Sequence, residues 1–302
     1  MNFPFYIARR YLFSKKKHNA INIISGISVC GVALATLALV CTLSVFNGFQ
    51  DMVASFFTAF DPQLKITVRE GKVFDAQDER IRAVCALPEV EVFTETLEEN
   101  AMVQYKDRQA MVVLKGVEDN FEELTAIDSI LYGAGEFVLH DSIVNYGVMG
   151  VELVATLGTG LEFVDPLQVY LPKRNAKVNM ANPGASFNRD YLYSPGVVFV
   201  VNQQEYDGKY ILTSLDFLRQ LLDYTTEVSA MELKLKSNVN TSSVQSKIEN
   251  ILGDDFVVQN RYQQQADVFR IMEIEKLISY LFLTFILMIA CFNVIGSLSM
   301  LI

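Results

Sequence analysis

The chain has 302 residues, of which 51% are hydrophobic and 20% charged, with a mean hydropathy of +0.25 and a formal charge of −10. This balance argues against a purely soluble protein and for apolar blocks joined to an ordinary polar domain. With two histidines and four cysteines the chain also has little material for a metal centre or a disulfide framework.

Residues 2–14, NFPFYIARRYLFS, set aromatic and aliphatic side chains beside Arg9 and Arg10. This is the pattern of a short amphipathic helix on the inner leaflet. The first twenty residues hold Arg9, Arg10, Lys15, Lys16 and Lys17 with no acid, so the positive-inside rule places the N-terminus in the cytoplasm. Removing those five cations leaves 20 basic against 35 acidic residues, a balance of −15. An acidic remainder argues against nucleic acid or anionic lipid as the ligand of the outer domain.

No Asp, Glu, Lys or Arg occurs between Lys17 and Asp51, and none from Leu277 to Ile302. Both stretches exceed the roughly 20 residues that cross a hydrocarbon core of about 30 Å. Residues 21–48 are therefore expected to be a first transmembrane helix, too long in its apolar core for a signal peptide and without an A-x-A-like cleavage site. Residues 275–302 are expected to be the second, leaving 49–274 as an extracytoplasmic domain. Gly31, Ala35, Ala38 and Thr42 recur at helical spacing, as Asn293, Gly296 and Ser297 cluster in the second span, and both sets suit close helix packing.

The helical pattern continues beyond the first span through Phe49, Met52, Val53, Phe56, Phe57 and Phe60, ending at Asp61-Pro62. QQQADVFRIMEIEK, ahead of the second span, is also helix-compatible, so both helices are expected to extend outward as a stalk. Phe49, Met52, Val53 and Phe56 are candidate contacts for a lipid or cargo, or for the stalk itself.

The outer domain opens and closes on similar patterns. LKITVRE, DAQDERIRAVCAL and VEVFTETL read strand, helix, strand; MELKLKS, NTSSVQSKIENILG and DFVVQNRY read the same way. Asp75 and Asn240 stand where N-caps belong, with Gly253 and Leu87-Pro88 as stops. Lys106-Asp107-Arg108 is expected to turn NAMVQY into QAMVVLKGV. The middle, about 118–230, reads mainly as strands (FVLH, LQVYL, VVFVV), with helices over 146–157 and 214–224. A loop from Lys173 to Pro195, KRNAKVNMANPGASFNRDYLYSP, is long for a structureless connection; Lys173, Arg174, Arg189 and Tyr191 are its candidate partner contacts. The expected fold is thus an α+β membrane protein: two transmembrane helices with stalk extensions flank a mixed α/β domain in which two βαβ-like units bracket a β-rich subdomain.

Chemistry is sparse. His140-Asp141-Ser142 does not make a triad, since adjacent residues of a strand point to opposite faces. GAG at 133–135 and GTG at 158–160 do not continue to G-K-[ST], so no P-loop is present. No catalytic residue, cofactor or metal is assigned, and energy input has to come from another polypeptide.

These features resemble the permease subunits of lipoprotein-releasing ABC transporters, within the wider FtsX-like and macrolide-exporter (MacB-like) superfamily. The resemblance rests on IARRYLFSKKKHNAINIISGISVCGVALATLALVCTLSVFNGFQ and EKLISYLFLTFILMIACFNVIGSLSMLI, with ALPEVEVFTETLEENAMVQYKDRQAMVVLKGVE and YLPKR in support. It implies an inner-membrane, multi-pass permease that works with a separate ATP-binding subunit and a second permease, alike or different, and hands lipoprotein cargo to a periplasmic chaperone. Such permeases carry a cytoplasmic coupling helix and two more spans after the second, so this chain is expected to be either a truncated version of a longer permease or one that has lost its direct contact with the ATPase. Only about twenty residues precede the first span and the outer domain is large, which favours the lipoprotein-releasing type. The alternative is an FtsX-like regulator, or a MacB-like efflux and mechanotransmission component, that recruits an envelope partner.

Overall fold

The computed structural model describes residues 19–55, 61–174 and 186–299, together with Phe3, Tyr6, Ile7 and Arg10. The chain divides into two compact units, one of residues 1–56 with 265–302 and one of residues 57–264.

In the first unit α1 (Asn19–Ser55) and α9 (Ala266–Ser299) pack against each other. At 1.5 Å per residue they are about 55 and 51 Å long, well beyond a hydrocarbon core of about 30 Å. Residues Val29–Gly48 of α1 have a mean hydropathy of 2.4 and are long and apolar enough to cross a membrane. Of the amphipathic segment expected over residues 2–14, Phe3, Tyr6, Ile7 and Arg10 are helical and exposed, and the rest lies outside the described residues.

The second unit is built on a nine-stranded mixed sheet. Its strands are β1 (Leu64–Val68), β3 (Val90–Tyr105), β4 (Arg108–Val117), β6 (Val148–Met149), β7 (Leu167–Pro172), β8 (Phe187–Leu192), β10 (Tyr210–Ser214), β12 (Ala230–Leu235) and β13 (Phe256–Asn260). Two small ladders pair β2 (Phe74–Asp75) with β11 (Glu227–Val228), and β5 (Leu131–Gly133) with β9 (Val197–Phe199). The helices are α2 (Glu79–Cys85), α3 (Phe121–Leu124), α4 (Val151–Leu157), α5 (Gln204–Asp207), α6 (Leu215–Leu222), α7 (Thr241–Leu252) and α8 (Arg261–Gln264).

The two βαβ-like patterns interleave. β1 lies between β13 and β12, and β12 between β1 and β3, every pairing antiparallel. Each unit thus receives a strand of the other between its own two, a split βαβ arrangement. Ile81 and Val84 of α2 and Val244, Ile248 and Leu252 of α7 bury themselves with Leu64, Ile66, Met231, Leu233 and Val258 of the sheet.

β3 is long enough to serve two neighbours along one edge. β12 pairs with Val90–Thr96, and β7 with Met102–Gln104; β4 runs along the other edge from Thr96 to Tyr105. The β3–β4 reversal falls on Lys106 and Asp107, with Lys106 at φ 51. β10 adds to β4 in parallel and leads directly into α6, whose start is capped by the Ser214 hydroxyl accepting from Phe217 N. α6 can approach β4 closely because of Gly116: a Cβ there would lie 3.1 Å from Leu218 Cβ.

Several expectations need correction. The cap of α2 is Asp78, which accepts from Arg80 N at 2.8 Å, while Asp75 lies in β2 and accepts from Gln77 N. FVLH is not a strand; only His140 makes a bridge, to Asn145, and Leu139 is buried beside α3 and β9. The segment 146–157 is a short strand followed by a helix that starts at Val151. The loop from Lys173 is shorter than expected, because residues 187–192 form β8 and pair with β7 over its whole length. Residues 175–185 lie outside the described set.

Candidate functional site

Where β4, β3, β7 and β8 lie side by side, the alternation of the strands divides them cleanly. One face, with Ala101, Val103, Val112, Leu114, Val169, Leu171 and Leu192, is core. The other carries two rows across the four strands: Met111, Met102, Tyr170, Arg189 and Gln109, Gln104, Gln168, Tyr191. Met111 is 68% exposed and Tyr191 42%. The amides are ordered among themselves: Gln109 Nε2 donates to Gln104 Oε1 at 3.3 Å, and Tyr170 Oη to Gln168 Oε1 at 2.7 Å.

Neither row contains an Asp or Glu, although the chain is acidic overall. Thioether, amide, phenol and one guanidinium on a flat, rigid face suit contact with another protein surface. Of the loop residues singled out from the sequence, Arg189 and Tyr191 lie on this face. Lys173 stands exposed at the end of β7, its amide bonded to Ser186 O. Arg174 is held within the domain, 3.4 Å from Glu227 and over the ring of Tyr224. Met102, Met111, Gln104, Gln168 and Tyr170 were not legible as a set, because only the register reveals that they share a face.

Further along the same face the polar side chains become buried and charged. Lys65 of β1 is 3.2 Å from Glu98 of β3; Lys115 of β4 is 3.6 Å from Glu98 and 2.6 Å from Glu232 of β12. Lys115 and Glu232 are fully buried. Burial pushes the Glu98 carboxyl up, but the Lys65 and Lys115 cations outweigh it and hold it at about 2. Burial lowers Lys65, and here Glu98 and Glu232 more than offset it, so its ammonium is held above the ordinary value.

At the C-terminal ends of β4 and β10 a cavity of about 350 Å³ is lined by Glu118, Asp119, Asn120, His140, Asp216 and Arg219, among others. His140 Nε2 is 3.0 Å from Asp119, and Arg219 is taken by Glu95 at 2.6 Å. Asp141 caps its own turn, accepting from Ile143 N and Val144 N and from Tyr146 Oη. His140, Asp141 and Ser142 thus form no relay. Among the described residues no group of three His, Cys, Asp or Glu is placed to hold a metal. Burial pushes the Cys85 thiol up to about 11, away from nucleophilic chemistry.

The sequence profile of the MacB-like periplasmic core domain matches residues 25–251. The chain belongs to this family. Among curated proteins this MacB-like chain is 22% identical to the lipoprotein-releasing system transmembrane protein LolE of Haemophilus influenzae, over 99% of its own length and 71% of that protein. It is 24% identical to the lipoprotein-releasing system transmembrane protein LolC of Neisseria meningitidis serogroup B, over 98% of its own length and 69% of that protein. Among solved structures, the periplasmic region of MacB from Actinobacillus actinomycetemcomitans matches with a TM-score of 0.46 at 10% identity, covering 70% of this chain and 94% of that one. The extracellular domain of the ABC-type transporter YknZ from Gram-positive bacteria matches at 0.44 and 11%, covering 65% and 99%.

In the helical unit of this MacB-like chain, Ala35 is buried and Gly31, Ala38 and Thr42 are half-buried, whereas Leu34, Leu37, Val40 and Val45 are exposed. Among the described residues, and apart from the helix's own adjoining backbone, no atom lies within 4 Å of where a Cβ would stand on Gly31 or Gly296. Phe49, Met52, Val53, Asn293 and Ser297 lie in the two helices, their side chains outside the described set, as is all of Phe56.

Proposed function

We propose that the chain is a transmembrane permease subunit of an ABC transporter that takes lipoproteins from the outer leaflet of the inner membrane and passes them to a periplasmic carrier. The observation that carries this reading is the alignment of almost the whole chain with proteins named for the lipoprotein-releasing system. In this reading α1, over residues 21–48, and a second span over residues 275–302, which begins within α9, cross the membrane, with the N-terminus cytoplasmic and residues 49–274 in the periplasm. ATP is hydrolysed on a separate subunit. A second permease supplies helices beside Gly31, Ala38 and Thr42, which are half-buried, and at Asn293, Gly296 and Ser297, whereas Ala35 is already buried within this chain. The unfilled space beside Gly31 and Gly296 supports such partners.

Binding and transmission are the whole of its task; no covalent step falls to this chain. Acyl chains arriving from the outer leaflet meet the apolar stalk at Phe49, Met52, Val53 and Phe56. The carrier docks beside Lys173, Arg174, Arg189 and Tyr191, and the acid-free face of β4, β3, β7 and β8 extends that surface.

A photocrosslinking residue at Val53 or Phe56, in the assembled complex in native membranes, tests the route. Lipoprotein adducts that disappear when ATP is supplied together with the carrier are the expected result. An intact complex that never yields an adduct at either position would rule out the stalk as the path of the cargo.

A further inference from the structure

Both ends of the second unit are fastened at one place. Asp61, 3% exposed, accepts through its carboxylate from Tyr206 Oη at 3.3 Å, and through its carbonyl from Arg261 Nε at 2.9 Å. Gln264 Nε2 donates to Pro62 O at 3.1 Å and to Gln259 O at 3.2 Å. The first two bonds span 145 and 200 residues of sequence.

Tyr206 belongs to neither end. It stands on α5, where Asp207 accepts from the buried Val201 N, and its ring lies 5.2 Å from that of Tyr210 on β10. β10 in turn is bonded to β4 from Tyr210 to Ser214. Three segments that are remote in sequence thus meet on one carboxylate and its carbonyl.

Burying a carboxylate is costly, and apolar residues in place of a whole buried polar cluster hold a fold as well or better, so stability is a weak reason for Asp61 and its partners. Direction is a better one. Dispersion contacts allow sliding, whereas hydrogen bonds fix an angle and a distance.

We propose that Asp61, Tyr206 and Arg261 form a rigid joint that carries a displacement of the chain ends into β10 and the middle of the domain. They are positioning residues for release, not cargo contacts. The inference rests on the permease reading.

The test uses the full-length permease assembled with its partner subunits in nanodiscs. Tyr206→Phe keeps the ring and removes one hydroxyl; Arg261→Met removes the second bond independently. Lipoprotein released per ATP hydrolysed should fall about tenfold in both, the scale of one lost bond to a charged group, while the thermal midpoint falls by only a few degrees and ATP turnover stays as in the wild type. Amide exchange at Val201 and in β10 should change between nucleotide-free and nucleotide-trapped wild type, and not in the variants. Exchange that responds equally in wild type and variants, or a wild-type release ratio, overturns the joint. General loss of protection across residues 57–264 in both variants also overturns it, by making these folding residues. Failure of the wild type to release lipoprotein overturns the permease reading alone, because exchange still reports on the joint.

Discussion

Lys115 and Glu232 illustrate what a single pair costs and fixes. Both are buried, 2.6 Å apart, and the second oxygen of Glu232 has no hydrogen-bond partner among the described residues. Removing one partner strands a charge in the sheet, so Lys115→Met should cost about 3–5 kcal/mol in denaturant unfolding of the solubilised chain. Replacing both, with Lys115→Met and Glu232→Leu, should return stability to within about 1 kcal/mol of wild type or above it. A double variant as unstable as the single one would mean that the pair does more than neutralise itself. Glu98 beside them gives a pH signature. Its carboxyl is held at about 2 in the fold against an ordinary 4.5, so its contribution is whole above about 4.5 and is lost as pH falls towards 2. The stability gap between wild type and Glu98→Gln should therefore be widest near neutral pH and close over that acid window. A gap that does not change with pH would show that Glu98 acts by packing.

At the scale of elements, what the sequence makes legible depends on the range of the contacts involved. The helices α6 and α7 are announced locally, by Ser214 and Asn240 as caps and by leucines or isoleucines at helical spacing, and both form as expected. β8 was hidden because FNRDYL alternates only weakly and is rich in residues that strands disfavour; pairing with β7 makes it a strand. β10, YILTS, is a five-residue run whose parallel partner is almost a hundred residues upstream, and no local signal points to it. The same limit concealed the interleaving of the two βαβ-like units and the face on which Met111, Met102, Tyr170 and Arg189 line up. That face makes a prediction of its own. Because Met111 projects into solvent, Met111→Glu should leave the thermal midpoint unchanged while weakening carrier capture by about tenfold, as a charge forced into an interface does. Undiminished capture would move the docking site elsewhere.

For the molecule as a whole, one question ties the permease reading together: on which side of the membrane the sheet domain stands. The five cations ahead of α1 favour a cytoplasmic N-terminus, and α1 carries no compensating charge until Asp51. If so, every residue from Asp61 to Gln264 faces the periplasm. Ile143 and Val164, 90% and 91% exposed, are suitable reporters because neither supports the core. The native thiols have to be removed first, by changing Cys30, Cys41, Cys85 and Cys291 to Ser; Cys85 is half-buried and a smaller hydroxyl fits its site. In spheroplasts, Ile143→Cys and Val164→Cys should then react with a membrane-impermeant maleimide before lysis, whereas a cysteine introduced at Lys16 should react only after it. Because the two reporters lie on separate loops, labelling of both from outside would fix the domain in the periplasm independently of any transport assay. Labelling of both only after lysis would place the sheet domain beside the ATPase, where a periplasmic carrier could not reach it, and the permease reading would fall with that result.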